Sequence, residues 1–226
     1  MNHGRHVPRM EEHMRETLLS ILVAAIAYLL GCFSTGLTVS GAKGVDILKG
    51  INIREHGSKN TGASNVLRVM GLKSGLITFA GDFLKAALAC WIGSLILPGS
   101  TFGIARYGMM LAGLFAIIGH NWPVFYGFKG GKGVACSAAV VFFVDPLWGS
   151  IAIVACLAVI ALTRFISLGS MTMLFCYMVL MCIAHWGQWA VCLFTVVLFA
   201  MCVWRHRSNI QRLLSGTENR IGQKAK

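Results

Sequence analysis

Seven apolar segments, separated by short polar or glycine-rich stretches, make up most of the chain. They cover residues 18–40, 72–97, 108–126, 132–145, 147–163, 167–186 and 188–204. A helix needs about 20 apolar residues to cross the hydrocarbon core of a bilayer, and most of these segments are close to that length. The pattern predicts an all-α integral membrane protein, a bundle of about seven transmembrane helices.

The fourth segment, residues 132–145, is the shortest. As a helix it would extend about 21 Å, whereas the hydrocarbon core is about 30 Å thick. Charge nevertheless favours a crossing. If the N-terminus lies outside and all seven segments cross, 15 of the 20 lysines and arginines lie in the cytoplasm and four lie outside, as the positive-inside rule expects. Without that crossing the six cationic residues of the tail would change sides, so we expect an outside N-terminus and a cytoplasmic C-terminus.

Composition agrees with a multi-pass membrane protein. Hydrophobic residues make up 56% of the 226 residues and charged residues only 12%, about half the charged share of a soluble domain. All eight cysteines fall in apolar stretches, which predicts buried side chains rather than disulfides or a metal site. Because the net charge of +12 is unevenly distributed, it indicates topology first, and we expect no nucleic-acid partner.

Polar and glycine-rich residues are concentrated on the predicted cytoplasmic side. We expect residues 1–16 to be an N-terminal extension, disordered or interfacial, and residues 17–226 to be a single transmembrane domain. The cytoplasmic parts of that domain are loops 41–71, 127–133 and 164–167 and the tail 205–226. Since the outside loops are short or featureless, one face of the protein carries the chemistry.

The first cytoplasmic loop contains the motif GSKNTGASNVLR, residues 57–68. Asn60 or Thr61 could cap a short helix whose N-terminus would attract an anion. Asn65 and Arg68 are three residues apart, so one helical face would present an amide and a guanidinium together. Arginine binds phosphate well because its planar fork donates two hydrogen bonds. The alternative is a flexible polar loop with positive-inside charges.

The second motif, GHNWPVFYGFKGGKGVA, is residues 119–135. Glycines with lysines often bring backbone N–H groups and an ammonium to a phosphate, but the nucleotide-binding loop spacing fails, because Tyr126 occupies the first glycine position and Gly133 follows Lys132. The motif instead predicts phosphate contact at the start of the fourth helix, or simply a turn with anchoring lysines. The phosphate-binding candidates are Lys129, Gly130, Gly131, Lys132 and Gly133. His120 is either a site residue or a helix-end histidine.

The tail WRHRSNIQRLLSGTENRIG, residues 204–222, predicts an amphipathic helix at the membrane surface. His206 and Asn209 would share one face of it. A basic anchor for acidic lipids is the alternative. Within a span, Asp82 and Lys85 are three residues apart. Mutual pairing is the simplest explanation for these two charges, and Lys85 could also help to attract an anion.

The three motifs, in this order, resemble those of the bacterial membrane acyl-phosphate:glycerol-3-phosphate acyltransferases, the PlsY family. The resemblance runs from about residue 17 to the C-terminus and includes the Asp-x-x-Lys pair. Lys59 and Ser64 stand where glycine and threonine are usual, and Cys136 where threonine is common. The charge of Lys59 beside Ser58 is the departure closest to the expected site.

The resemblance implies transfer of a fatty acyl group from acyl phosphate to the 1-hydroxyl of sn-glycerol 3-phosphate, giving lysophosphatidate and phosphate in the first acylation step of phospholipid biosynthesis. It implies no cofactor, and neither acyl-CoA nor acyl carrier protein as immediate donor. The expected partners are glycerol 3-phosphate, a long-chain acyl phosphate, membrane lipids and, functionally, the soluble enzyme that makes acyl phosphate. The expected location is the bacterial cytoplasmic membrane, with the active face in the cytoplasm.

The residues expected in the site follow from the motifs and the resemblance together. The catalytic set is Ser58, Asn60, Arg68, His206 and Asn209. The substrate-binding set is Asn65, Lys85, His120, Lys129, Gly130, Gly131, Lys132 and Gly133. Glu218 and Asp82 are expected to be structural.

Acyl phosphate is an activated mixed anhydride, so no covalent enzyme intermediate is needed. Arg68 and Lys132 would neutralise phosphates, and either His206 or a substrate phosphate would be the base. An organic-phosphate transporter is the alternative function, because a basic vestibule on a helical bundle suits one as well. A transporter is expected to contain two related halves with paired broken helices, and the chain shows no such internal repeat.

Overall fold

The computed structural model describes residues 7–41, 52–101 and 104–222. The beginning of the expected N-terminal extension, residues 42–51 of the first cytoplasmic loop, and the last four residues of the tail lie outside the described residues. Two short strands, β1 (Ser100–Thr101) and β2 (Ile104–Ala105), pair antiparallel between two long helices. The rest of the described secondary structure is helical.

The described residues form ten α-helices and a 3₁₀ turn at Val124–Tyr126. The α-helices are α1 (Val7–Cys32), α2 (Thr35–Ser40), α3 (Ala63–Met70), α4 (Leu72–Ile96), α5 (Tyr107–Asn121), α6 (Val134–Val144), α7 (Pro146–Thr163), α8 (Ile166–Ala184), α9 (Trp189–Arg205) and α10 (Arg207–Leu214). Each of the seven predicted apolar segments is helical, and the all-α membrane class is confirmed. The first segment breaks into α1 and α2 at Ser34, whose side chain accepts a hydrogen bond from the N–H of Leu37.

Five helical segments are long and apolar enough to cross a membrane, or six if the pair α9–α10, bent by 62°, counts as one span. The sixth helix, with 11 residues, is shorter than the roughly 20 residues that cross a hydrocarbon core. The count of seven crossings and the orientation of the termini therefore remain predictions.

The contacts of α6 show how this short helix lies beside α5. Arg106, which precedes α5, donates hydrogen bonds to the carbonyl of Val144 and to the carboxylate of Asp145, at the end of α6. At the opposite end, the loop that leads into α6 packs against the last turn of α5, where Gly131 donates to the carbonyl of His120 at 3.0 Å. The sixth helix therefore runs antiparallel to α5, from the last turn of α5 back to the residue that precedes its first turn.

Small residues let the central helices approach closely. A side chain at Gly31 of α1 would overlap the backbone of Ala116 in α5, and one at Gly119 would overlap the backbone of Tyr28. Such contacts are typical of helix packing in membranes. The first helix begins at Val7, so the described part of the expected N-terminal extension is continuous with the first span. Large apolar side chains such as Leu162 and Trp186 are exposed on the outer faces, as expected where lipid surrounds the protein.

Candidate active site

A cleft of about 320 Å³ opens at the end of the bundle where the three motifs meet. One part of its lining is polar and the other is apolar. The polar lining includes Ser58, Asn60, Asn65, Arg68, Asp82, His120, Lys132, Ser167, His206, Asn209, Arg212 and Glu218. The apolar lining includes Leu72, Leu76 and Phe79 of α4, Ala135 and Ala138 of α6, Ile153, Leu157 and Ile160 of α7, and Ile166 and Met173 of α8.

Asn65 organises the first motif loop. Its Oδ1 accepts from the N–H of Ser58 at 2.8 Å, and its Nδ2 donates to the carbonyls of Ile53, His56 and Asn60. The side chain is 2% exposed. Because its amide group is already bonded to backbone, Asn65 is better placed to hold the loop than to bind substrate, which differs from the sequence expectation.

The predicted short helix of this motif is α3, but its cap differs from the prediction. Gly62 is the N-cap, without a side-chain cap hydrogen bond, and Asn60 instead accepts from the N–H of Gly62 at 2.8 Å. The hydroxyl of Ser58 and the guanidinium of Arg68 make no hydrogen bond or ion pair with any described residue. Both residues line the cleft, so this loop presents an uncommitted hydroxyl and an uncommitted cation to it.

The glycine-rich loop uses its N–H groups differently from the prediction. The N–H of Gly130 donates to the carbonyl of Asn121 at 3.3 Å, and that of Gly131 to the carbonyl of His120 at 3.0 Å. A side chain on Gly131 would overlap the imidazole of His120. These two glycines therefore permit close packing against the end of α5, and their N–H groups cannot also hold a phosphate.

The start of α6 provides the donors that those two glycines do not. Gly133, at φ 78°, is the N-cap residue, and Val134 and Ala135 follow it along the cleft. The N–H groups in the first turn of a helix have no intrahelical acceptor and favour an anion. Lys129, in contrast, is exposed and does not line the cleft. The backbone N–H groups that remain open to the cleft are thus those of the first turn of α6, not those of Gly130 and Gly131.

Lys132 is the central cation of the cleft. Its Nζ donates a hydrogen bond to Oδ1 of Asn209, and it forms no ion pair with a described carboxylate. Burial and repulsion from Arg212, with smaller effects from two further arginines, lower the pKa of Lys132 to about 8, although Glu218 opposes the shift. The side chain is therefore a cation at neutral pH, held at a cost that an anionic ligand would relieve.

His206 lies between α9 and α10 and is 2% exposed. Its Nδ1–H donates to the carbonyl of Cys202 at 2.9 Å. Since a carbonyl can only accept, the ring carries its proton on Nδ1, which leaves Nε2 as an acceptor. Burial and the nearby charge of Lys132 lower the pKa of His206 to about 4. The ring is neutral at physiological pH.

Glu218 joins the tail to two helices. Its Oε1 accepts from Ser167 at 2.9 Å and from Nδ2 of Asn209 at 2.7 Å, and its Oε2 pairs with Arg212 at 2.7 Å. Because Asn209 also contacts Lys132, the carboxylate fixes the amide that orients the central lysine. Ser167 and Arg212 were missed in the sequence analysis. Arg212 carried a signal in its position three residues after Asn209, whereas nothing in the sequence pointed to Ser167.

Asp82 and Lys85 pair as predicted, with Nζ 2.8 Å from Oδ1. The ammonium also donates to the carbonyl of Phe33 at 2.6 Å and to Nδ1 of His120 at 3.0 Å. All three donors of Lys85 are thereby used, and it does not line the cleft. Its role is to orient His120, whose Nε2 then carries the proton when the ring is neutral. This differs from the expectation that Lys85 binds substrate.

The structure therefore brings the three motifs to one cleft. Of the expected site residues, Lys85, Lys129, Gly130 and Gly131 lie outside its lining, and the others border it. No group of three or more histidine, cysteine, aspartate or glutamate side chains that could hold a metal ion occurs among the described residues.

Comparison with known proteins identifies one family. The family model described as "Glycerol-3-phosphate acyltransferase" matches residues 21–216. A protein of that name from Thermoanaerobacter sp. (strain X514) is 42% identical over 207 residues, which cover 92% of this chain and 98% of the relative. A protein of the same name from Halalkalibacterium halodurans is 39% identical over 211 residues, covering 91% and 97% of the two chains.

Two solved structures share the fold. Both are crystal structures of PlsY (YgiH), described as an integral membrane glycerol 3-phosphate acyltransferase. The glycerol 3-phosphate form matches with a TM-score of 0.78 and 35% identity, covering 90% of this chain and 96% of that one. The lysophosphatidic acid form matches with a TM-score of 0.74 and 35% identity, covering 90% and 95%.

Proposed function

Because the chain belongs to the glycerol-3-phosphate acyltransferase family, we propose that its cleft transfers a fatty acyl group from acyl phosphate to the 1-hydroxyl of sn-glycerol 3-phosphate. The products are lysophosphatidate and inorganic phosphate. The observation that carries this proposal is the pairing, in one cleft, of two cations without carboxylate partners and an apolar groove between membrane helices. The first suits phosphates and the second suits an acyl chain.

The apolar part of the cleft supports binding of the first part of a fatty chain. Its lining on α7 extends from Ile160, near the polar end, to Ile153, about 10 Å further along the helix. The opposite wall is formed by α4, from Leu72 to Phe79. Between them, Ala135 and Ala138 of α6 leave room for a chain. The first half of a long acyl group would lie in this groove, and the remainder would extend into lipid.

The polar part of the cleft supports binding of the acceptor. Lys132, Arg68 and the first-turn N–H groups of α6 would hold the phosphate of glycerol 3-phosphate. Ser58, Asn60 and Asn209 would position the substrates. Such fixed charges at the reacting groups contribute more in a partly dehydrated cleft than in water.

The chemistry requires few steps. The 1-hydroxyl oxygen attacks the carbonyl carbon of acyl phosphate, an ester C–O bond forms, and the C–O bond to the phosphate group breaks. The hydroxyl proton leaves on a phosphate oxygen. We favour a phosphate as the base, because a histidine whose pKa is about 4 is a weak base at neutral pH. His206 would instead use Nε2 as a hydrogen-bond acceptor to orient glycerol 3-phosphate, outside the path of the transferred proton.

We also propose that the protein lies in the bacterial cytoplasmic membrane with this cleft facing the cytoplasm. The distribution of cationic residues supports that orientation. Glycerol 3-phosphate and the soluble enzyme that supplies acyl phosphate would then both reach the cleft from the cytoplasm. The organic-phosphate transporter is not supported, since the named relatives are acyltransferases.

The direct test is to supply the purified protein, in detergent, with palmitoyl phosphate and radiolabelled glycerol 3-phosphate. We expect lysophosphatidate and inorganic phosphate in equal amounts, and no product when palmitoyl-CoA replaces palmitoyl phosphate. Failure to form lysophosphatidate under conditions in which the Thermoanaerobacter relative is active would refute the proposed function. Product formed from palmitoyl-CoA alone would refute the proposed donor.

A further inference from the structure

Backbone N–H groups of the glycine-rich loop donate within the loop and to the end of α5. The N–H groups of Tyr126 and Phe128 donate to the carbonyl of Pro123, and those of Gly130 and Gly131 donate to the end of α5. The bonds of Gly130 and Gly131 satisfy carbonyls that the C-terminus of α5 would otherwise leave without a partner. The other carbonyls of the loop need donors from elsewhere in the protein.

Two arginines supply those donors. The Nε of Arg205 donates to the carbonyl of Gly131 at 3.0 Å, and one of its Nη atoms donates to that of Gly130 at 3.1 Å. An Nη of Arg54 donates to the carbonyls of Tyr126 and Lys129, each at 3.3 Å.

Each guanidinium also lies near an aromatic ring of the same loop. The central carbon of Arg205 is 5.4 Å from the centre of the Trp122 ring, and that of Arg54 is 5.5 Å from the centre of the Tyr126 ring. Both distances are within the range of a cation–π interaction. Each arginine therefore holds the loop by two carbonyls and a ring.

The two arginines come from different motif regions. Arg205 directly precedes His206 at the end of α9, and Arg54 lies four residues before Ser58. On the premise of the proposed function, we infer that Arg205 and Arg54 are positioning residues. They fix the position of the glycine-rich loop relative to the first and third motifs. Because Lys132 and the start of α6 follow this loop directly, their positions are fixed with it. Neither arginine lines the cleft itself.

A lysine cannot replace either arginine in this arrangement. The guanidinium is planar, so it can donate to neighbouring carbonyls while one face lies on a ring, whereas an ammonium is a compact point charge. Arg205→Lys therefore keeps the charge and removes the clamp. Arg207 is a matched control, because it is two residues away, exposed, and stacked on Trp204 at 5.1 Å outside the cleft.

The test is steady-state kinetics of the full-length protein in detergent with both substrates varied. For Arg205→Lys we expect the KM for glycerol 3-phosphate and the inhibition constant of inorganic phosphate to rise about tenfold. The KM for palmitoyl phosphate and the thermal midpoint should stay close to wild type. Arg54→Lys should shift the same two constants, and Arg207→Lys should shift none of them.

An unchanged KM for glycerol 3-phosphate in both Arg205→Lys and Arg54→Lys would overturn the inference, even with a fully active wild-type enzyme. So would an equal rise in both KM values with a lower thermal midpoint, because that pattern indicates general loosening. If Arg205→Lys does not fold, Trp122→Leu removes the ring beneath the guanidinium and should raise the same KM selectively. Absence of product from the wild-type protein would instead refute the proposed function.

Discussion

The pH dependence of Lys132 offers a quantitative test of the cleft. Burial of its ammonium and repulsion from Arg212, Arg205 and Arg68 lower its pKa to about 8, against the opposing attraction of Glu218. An exposed lysine has a pKa of about 10.4. If only the ammonium form binds the phosphate of the acceptor, kcat/KM for glycerol 3-phosphate should fall as the pH rises through 8, because this parameter reports the free enzyme.

The expected size of the fall follows from that pKa. At pH 9 about one lysine in ten would keep its proton, so kcat/KM should be about tenfold below its value at pH 7. With an ordinary lysine pKa the loss would be only about 4%. Titration of the substrate contributes little to the fall between pH 7 and pH 9, since the second pKa of a phosphate monoester is about 6. His206 does not titrate there either, because its pKa is about 4.

The assay is the initial rate of lysophosphatidate formation at low glycerol 3-phosphate and saturating palmitoyl phosphate, from pH 6.5 to 10. Lys132→Arg should lower the rate at pH 7 yet abolish the fall above pH 8, because arginine stays charged throughout. Lys73→Arg, at an exposed position at the start of α4, should reproduce the wild-type profile. An alkaline fall that persists in Lys132→Arg would refute the assignment of this titration to Lys132.

Three further predictions concern single features. Arg68→Ala should reduce turnover at least a hundredfold, with a wild-type elution profile, because it removes an uncommitted cation; near-full activity would exclude Arg68 from the site. Asp82→Asn should lower the thermal midpoint by about 10 °C, because it leaves the charge of Lys85 buried without its partner. The double variant Asp82→Asn/Lys85→Met should recover part of that loss, and a double variant that loses a further ~10 °C would contradict a paired role. Lys59→Gly should raise the midpoint by about 3 °C at unchanged kcat, since Lys59 has φ 57°; a lower midpoint would show that its side chain stabilises the loop.

Hydropathy alone was sufficient for the long apolar helices, because a helix in lipid must satisfy its backbone hydrogen bonds internally. Every predicted apolar segment is helical, including the short α6. The break at Ser34 and the start of α1 at Val7 were not predicted. Neither feature changes the apolar pattern of the span, so the sequence carried little signal for them.

The motifs predicted most of the polar residues that lie at the cleft but not the role of each one. Asn65 and Arg68 are three residues apart, and one amphipathic face was expected to present both to a ligand. In the structure the amide of Asn65 turns back to the loop while Arg68 faces the cleft. That difference depends on the loop backbone at Ile53, His56 and Asn60 coming within reach of one amide. Spacing along the chain holds no information on such a contact.

The structure explains the departure from the family pattern at Lys59, which the sequence alone could not. In the sequence it was an added charge beside Ser58. Its left-handed backbone, φ 57°, explains why glycine is usual there, since glycine adopts this conformation without steric cost. The departure thus concerns the folding of the loop more than its charge.

The glycine-rich loop also shows that a motif can be located from the sequence while the hydrogen bonds of its backbone cannot. The density of glycine and lysine predicted a phosphate-binding region, yet Gly130 and Gly131 pack closely against α5, and the N–H groups without an intrahelical acceptor lie one turn later. The deciding bonds join the loop to carbonyls at the end of α5 and to guanidiniums from two distant segments. A carbonyl acceptor is present at every residue, so no sequence pattern can mark which ones a loop will use. The motif could be recognised because its residue types are rare, whereas the direction of its backbone is decided by neighbours that only the fold brings together.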